Sequence, residues 1–439
     1  MAKFYPALAH TDSIGYLDEN GNRKLMSIIP LLPKNIASNF LVSLSFDESI
    51  HYSKINNIGD PCADIKLEPR KIETVFVDCG AFHYVGEKSP RFKKGGFVNS
   101  KTAFEEYSRR HLSKNPEINY LLCSPDHIIT ENQQMKDIRK IISENEENFD
   151  ETRLNYYDDI LESQELDIKR RIHFILSSAK GFLKQVEGIE NVTPVAVVHG
   201  RNKNERAKMA TELIEIGYKY LAFGGLVPLA RNQKEVLQQI AGISDLDNPR
   251  IEPDSALAIA KKYGCKIHMF GLNSPEWYRW WKRLGIDSFD GSKLSQEGAA
   301  NGIIWVTDFS KKEPKSAKEL YRRLSIKKIK IREWENDNLT LSRLNVSSDG
   351  ELKLQHKGWK YLQSARCTSP KCPHRKNTHS CDPRVTGSIE HNMGRMIINS
   401  YAFEEIMSHI DMLYEMANNI NDFESREWLK NWKRIEVEL

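Results

Sequence analysis

Eight short apolar runs between Phe40 and Phe289 alternate with segments of helical spacing over about 250 residues, which predicts an α/β protein built as a (β/α)8 TIM barrel. A doubly wound open sheet is the competitor, but no Gly-x-Gly-x-x-Gly follows the first run. A third observation sets apart a C-terminal α+β module: Cys367, Cys372 and Cys381 crowd together there, whereas Cys62, Cys79, Cys123 and Cys265 are scattered.

A chain of 439 residues has room for one barrel plus smaller modules. The expected organisation is an N-terminal extension packing on the barrel (1–38), the catalytic barrel (39–305), a basic insert with a zinc-binding module (306–390), and C-terminal helices completing that module (391–439). A composition of 40% hydrophobic and 28% charged residues is that of an ordinary globular protein. No apolar run approaches the ~20 residues of a membrane span. Met1-Ala2-Lys3-Phe4-Tyr5-Pro6 lacks the apolar core of a signal peptide, so a cytoplasmic location is expected. A net charge of +4 permits a polyanionic partner without requiring one.

Residues 1 to 38 show little pattern beyond a hairpin around Asp18-Glu19-Asn20-Gly21-Asn22. The strand-like runs are Phe40 to Phe46, Thr74 to Val77, Tyr120 to Cys123, Ile172 to Leu176, Val195 to Val198, Tyr220 to Phe223, Ile267 to Phe270 and Ile286 to Phe289. Between them, helical faces are formed by Phe104 and Tyr107 after a cap at Ser100, by Met135, Ile138, Ile141 and Ile142, by Ala207, Ala210, Leu213 and Ile214 before Gly217, by Val236, Leu237 and Ile240, and by Ala256, Ile259, Ala260 and Tyr263 before Gly264. The clearest helix runs from Ser274 to Leu284, with Ser274 as N-cap, Pro275 at the first helical position and Gly285 as the left-handed stop. The basic run Lys327-Lys328-Ile329-Lys330-Ile331-Arg332 reads as an edge strand protected by lysines. From His391 onward, Met396, Ile397, Phe403, Ile406, Ile410, Leu413 and Met416 have helical spacing, which predicts closing helices.

In a parallel barrel the C-terminal strand ends share the catalytic face. There the sequence places Asp78-Cys79-Gly80-Ala81-Phe82, Ser124-Pro125-Asp126-His127, His199-Gly200, Gly224-Gly225-Leu226, Gly271 and Asp290. Each Asp taken singly is also a turn or cap residue. As a set, they put three carboxylates and one or two imidazoles in one cleft. Paired carboxylates are the equipment for chemistry at an anomeric carbon, one attacking C1′ and the other exchanging a proton with the leaving group. Asp126, with the backbone of Gly224-Gly225, has the acceptors and donors to read a purine edge. The glycines let a flat ligand approach backbone N–H groups.

The order Asp78-Cys-Gly-Ala-Phe, Asp126, His199-Gly200, Phe223-Gly224-Gly225-Leu226 and Phe289-Asp290, followed by three cysteines and a late histidine, resembles the tRNA-guanine transglycosylase superfamily. Within it the chain looks most like the bacterial DNA 7-deazaguanine transglycosylases. The resemblance covers roughly residues 40–305 and 365–410 and implies a pentosyltransferase. Asp290 would be the nucleophile and Asp78 the general acid/base. Asp126, His199, Gly200, Gly224, Gly225, Leu226 and Phe82 would hold the base. The implied reaction exchanges guanine in a polynucleotide for a free 7-deazaguanine such as preQ0 through a covalent glycosyl-Asp intermediate, with structural Zn2+ as the one cofactor.

The chain departs from the tRNA enzymes in three places. It has Cys79-Gly80-Ala81-Phe82-His83 where they have Ser-Gly-Gly-Phe-Gln, His199 where they carry Gln, and no Arg between Lys293 and Gly302. The last departure favours DNA, with the target guanine flipped out or single-stranded. A tRNA substrate and a catalytically silent nucleic-acid-binding subunit are the alternatives. Arg201, Lys203, Arg231 and Lys293 are candidate phosphate contacts, or solvated charges at helix starts. Accessory proteins of a DNA-modification system would be further partners.

Cys367-x4-Cys372-x8-Cys381-x9-His391 supplies three thiolates and one imidazole, the donor set of a closed tetrahedral zinc site. His374 and His379 are nearer alternatives to His391. Free buried cysteines are the competing reading, but a polar, proline-bearing loop offers thiols no core.

Overall fold

The computed structural model describes residues 2–7, 13–17, 23–27, 32, 36, 38–44, 72–92, 95–129, 137–138, 140, 142–143, 151–293, 297, 303–306, 320–321, 324, 327–330, 389–419 and 431–437. Ten of the strands are β1 (Lys3–Pro6), β2 (Ser13–Leu17), β3 (Arg23–Ser27), β4 (Asn39–Ser43), β5 (Thr74–Asp78), β6 (Asn119–Cys123), β7 (Val192–Val198), β8 (Tyr220–Phe223), β9 (Lys266–Met269) and β10 (Ser288–Gly291). Eight of them form one parallel sheet in the order β1-β10-β9-β8-β7-β6-β5-β4, with β1 and β4 at its ends. A parallel bridge between Ala7 and Leu41 joins those ends, which gives the cyclic strand order of a (β/α)8 barrel.

By internal packing the chain divides into two compact units: Met1–Val42, Phe46–Val75 and Leu272–Arg434, and Ser43–Ser45, Phe76–Gly271 and Ile435–Leu439. In the second unit, β6 to β9 pair in parallel register. Val195 to Val198 are all buried, as expected of a parallel strand covered on both faces. The unit's helices are α1 (Ser100–Tyr107), α2 (Glu151–Val186), α3 (Lys203–Ile216), α4 (Gln233–Ala241) and α5 (Ala256–Lys262). The N-cap of α1 is Asn99 rather than Ser100. The Asn99 side chain accepts from the Lys101 and Thr102 amides at 2.9 and 3.0 Å, and Thr102 returns a bond to the Asn99 amide.

The sequence expectation is corrected at one strand. Ile172 to Leu176 lies inside α2, whose buried residues Ile168, Ile175, Ala179, Phe182 and Val186 recur at helical spacing. A five-residue apolar run has no period of its own to separate strand from helix, and here no Gly or Pro bounds it. The eighth strand is instead β1, where Lys3-Phe4-Tyr5-Pro6 pairs in parallel with Ser288-Phe289-Asp290-Gly291.

In the first unit, α6 (Pro275–Leu284) has the boundaries read from sequence: Ser274 precedes it in extended backbone, and Gly285 ends it at φ 62°. Its buried face carries Trp277, Tyr278, Trp280, Trp281 and Leu284, each worth about 2–3 kcal/mol of burial. It packs against α7 (Ile389–Asn419): the Tyr278 hydroxyl donates to Asp411 at 2.7 Å, and Lys282 pairs with the same carboxylate at 2.9 Å. β2 and β3 form the expected hairpin. The basic run supplies β12 (Lys327–Lys330), antiparallel to β11 (Ile303–Val306). Among the described residues no helix is long and apolar enough to cross a membrane.

Candidate active site

In the second unit the site is built around Asp126, which follows β6 and is 4% exposed. Its Oδ1 accepts from the Cys79 thiol at 2.6 Å, and its Oδ2 meets His199 Nε2 at 2.5 Å. Tyr84 donates its hydroxyl to the Asp126 backbone carbonyl at 2.9 Å and lies 3.3 Å from Cys79 Sγ. Burial, with the negative charges of Asp126 and Asp78, pushes the Cys79 thiol well above its ordinary range. The Tyr84 hydroxyl is raised as well, chiefly by burial. Both are therefore neutral at physiological pH, the thiol as a donor to the Asp126 side chain and the phenol as a donor to its backbone carbonyl.

Asp78 ends β5, and its Oδ2 accepts from the Gly80 amide at 3.1 Å. Gly80 adopts φ 84°, a left-handed turn that suits glycine, and it starts the short 3-10 turn Ala81–Tyr84. That turn buries Tyr84 and leaves Phe82 69% exposed. One donor atom each from Asp78, Cys79 and Asp126 lies within 4.8 Å of the others. Within the trio the Cys79 thiol is hydrogen-bonded to Asp126, and Asp78 accepts instead from the Gly80 amide.

His199 follows β7 and is 2% exposed. A Cβ on Gly224 would stand 2.6 Å from His199 Cε1 and 2.8 Å from Val197, so the bare glycine after β8 is the space the imidazole occupies. His199 Nδ1 has no partner among the described residues. Arg206 of α3, fully buried, donates to the Val198 and Gly224 carbonyls at 3.2 and 2.9 Å and to Gln239 at 3.2 Å. It clamps the ends of β7 and β8, and burial lowers its pKa to about 9. Gly200 gives it room, since a Cβ there would lie 2.8 Å from the Arg206 amide. Gly225 takes φ 70°, and Leu226 is fully buried.

Sequence reading gives no place in the site to Arg206 and Tyr84, and it puts Cys79 on the catalytic face without a role. For Arg206 a signal exists: it shares the buried face of α3 with Ala210 and Leu213, where a cation needs a reason. His127 serves a structural purpose. Its Nε2 bonds the Glu87 carbonyl and its Nδ1 the Arg171 guanidinium, both at 2.9 Å.

In the first unit, Asp290 is the third residue of β10, opposite Tyr5 of β1, and is 5% exposed. The preceding Phe289 packs on Phe4, Tyr278 and Phe403, at centroid distances of 5.1, 5.4 and 6.4 Å, which seats the strand. Gly291 faces Asn273: a Cβ would lie 2.4 Å from the Asn273 amide carbon. Asn273 is 3% exposed and its Nδ2 is unpartnered among the described residues, a buried donor that sequence reading missed.

Of the four cations proposed for phosphate, Arg201 is bound to Glu205 and Glu165, and Lys203 to Glu252 and Asp254. Arg231 is exposed and Lys293 partly buried. Cys367, Cys372 and Cys381, with His374 and His379, lie outside the described residues; His391 belongs to α7, described there by its backbone alone.

No family model matches the chain. Over 221 residues, half of this chain, the sequence is 27% identical to a protein of Salmonella montevideo named DNA-guanine transglycosylase, and the match spans 41% of that protein.

Proposed function

We propose, from the kinship of this chain with the guanine transglycosylase superfamily, that it exchanges guanine in DNA for a free 7-deazaguanine of the preQ0 type. In this reading the Asp290 carboxylate attacks C1′, the N-glycosidic bond breaks, and the departing guanine takes a proton from Asp78. The incoming base gives its N9 proton back to Asp78, its N9 attacks C1′ and Asp290 is released. Two displacements retain the anomer and leave the phosphodiester chain intact, so neither step needs an external oxidant or energy source.

The observation that carries the reading is the buried Asp126 carboxylate. Each of its oxygens accepts one protein donor, from Cys79 or His199, and each keeps a second lone pair. Two parallel acceptors of this kind suit the N1–H and 2-amino groups of guanine. A 7-deazaguanine presents the same two donors, so one pocket takes both the outgoing and the incoming base. Phe82, exposed beside it, would stack on the base.

The test is label transfer: protein with radiolabelled guanine or preQ0 and either single-stranded DNA, duplex DNA or tRNA. Label should enter DNA. Asp78→Asn is expected to slow exchange by roughly 10²–10⁴-fold, and Asp290→Ala to abolish it. Exchange by the Asp290→Ala protein would remove that residue from the nucleophile's place, and label in tRNA alone would replace the substrate.

Structural zinc on Cys367, Cys372, Cys381 and one of His374, His379 or His391 completes the proposal. Metal analysis should then return one zinc per chain, and chelation should lower the melting temperature. Chain free of zinc and unchanged by chelator would refute it.

A further inference from the structure

Residues 85–99 follow the site turn and carry Lys88, Arg91, Lys93 and Lys94 against one acidic residue, Glu87. Lys93 and Lys94 lie outside the described residues. Part of this segment and α2 line a groove: Lys88 to Pro90 and Phe97 to Asn99 on one wall, Arg170, Arg171 and Phe174 on the other, with His127 between. His127 adjoins Asp126 in the chain, and its ring meets edge-on, at 5.7 Å between centroids, the Tyr84 ring whose hydroxyl bonds the Asp126 carbonyl.

Two features separate these cations from Arg201 and Lys203. First, Lys88, Arg91 and Arg170 are exposed and make no ion pair among the described residues. Asp167, the carboxylate one turn from Arg171, is already held by it at 2.7 Å, while the Glu87 side chain is exposed. Second, the Arg91 guanidinium sits 4.3 Å from the centre of the Phe97 ring, and Phe97 remains 55% exposed. A single exposed Phe is unremarkable. A solvated ring backed by a guanidinium and flanked by unpaired cations has the composition of a base-stacking platform with phosphate contacts.

We propose that this groove is the track for a single-stranded segment of the polynucleotide, with Lys88, Arg91 and Arg170 on phosphates and Phe97 stacked on a base neighbouring the one held at Asp126. The proposal rests on the reading of the chain as a nucleic-acid transglycosylase and names the strand's path and its single-stranded form. Duplex DNA offers its phosphates to the cations but no base face to Phe97, because its bases are already stacked on each other.

The experiment is fluorescence anisotropy of the full chain with a labelled single-stranded oligonucleotide at several salt concentrations. The triple variant Lys88→Ala, Arg91→Ala, Arg170→Ala should bind at least about tenfold more weakly, and its slope of log affinity against log salt should fall by about 2, at ~0.7 per phosphate lost. Phe97→Ala should weaken binding roughly tenfold with the salt slope unchanged. Free guanine affinity should stay as in the wild type, which separates loss of the track from loss of the fold. Wild-type affinity and slope in the triple variant would overturn the proposal. So would competition by polyglutamate as effective as by DNA with Phe97→Ala neutral, an outcome that points to an acidic protein instead.

Should the variants not fold, photocrosslinking of the unaltered chain to a 5-bromodeoxyuridine oligonucleotide decides. An adduct within 85–99 supports the track, and adducts confined elsewhere overturn it. Binding is read without turnover. A chain that grips the strand here but exchanges no base keeps this inference and loses the proposed reaction; one that exchanges normally without the patch does the reverse.

Discussion

His199 occupies the volume where a Gly224 side chain would stand, and its Nε2 is bound to Asp126. A single methyl group at residue 224 therefore forces the imidazole off its carboxylate or moves the strand end that Arg206 clamps. We expect Gly224→Ala to cost about 1–3 kcal/mol of stability, read as a lower urea midpoint, and to weaken guanine binding. Unchanged stability and affinity would show that the ring has room to shift. At this scale sequence showed Asp78, Asp126, His199 and the glycines, because turn chemistry at strand ends is local. It did not show that Cys79 and His199 hold opposite oxygens of one carboxylate, since those residues are 120 positions apart and their meeting depends on strand order. The charge partners of Arg201 and Lys203 were hidden for the same reason: Glu165 and Glu252 are remote in the chain.

Helix α6 was legible to the residue because its signals are covalent neighbours: an N-cap Ser, a Pro and a terminal Gly with φ 62°. What it packs against was not. Asp411 of α7 takes the Tyr278 hydroxyl and the Lys282 ammonium, with Lys282 11% exposed. Asp411→Ala would leave that cation nearly buried without a counter-charge, a loss of about 3 kcal/mol, measurable as a shift in the urea midpoint. A shift under a few tenths would mean water replaces the carboxylate. The misread run Ile172 to Leu176 and the unread strand β1 share a cause. Each is too short to display a period, so only its partners decide its state: the flanking turns of α2 for one, the β10 backbone for the other.

At the scale of the whole molecule, acid should be the weak side of its stability. Burial holds His111 at about 3, far below its ordinary 6.5. The unfolded chain thus binds the proton first: stability from this group is complete above 6.5 and falls as pH drops toward 3, by up to about 1.4 kcal/mol per pH unit. Urea midpoints at pH 7, 6 and 5 should decline, and less steeply in His111→Gln. Equal slopes would exclude His111 as the cause. The sequence by itself determined seven of the eight strands in alternation with helices, the boundaries of α6, and the carboxylates at the strand ends, since hydrophobic period and turn chemistry are written within a few residues. Only tertiary structure decided which segment was the eighth strand, which cations were already neutralised, and which donors surround Asp126. Those depend on residues far apart in the chain competing for the same partner, and no local pattern records who wins.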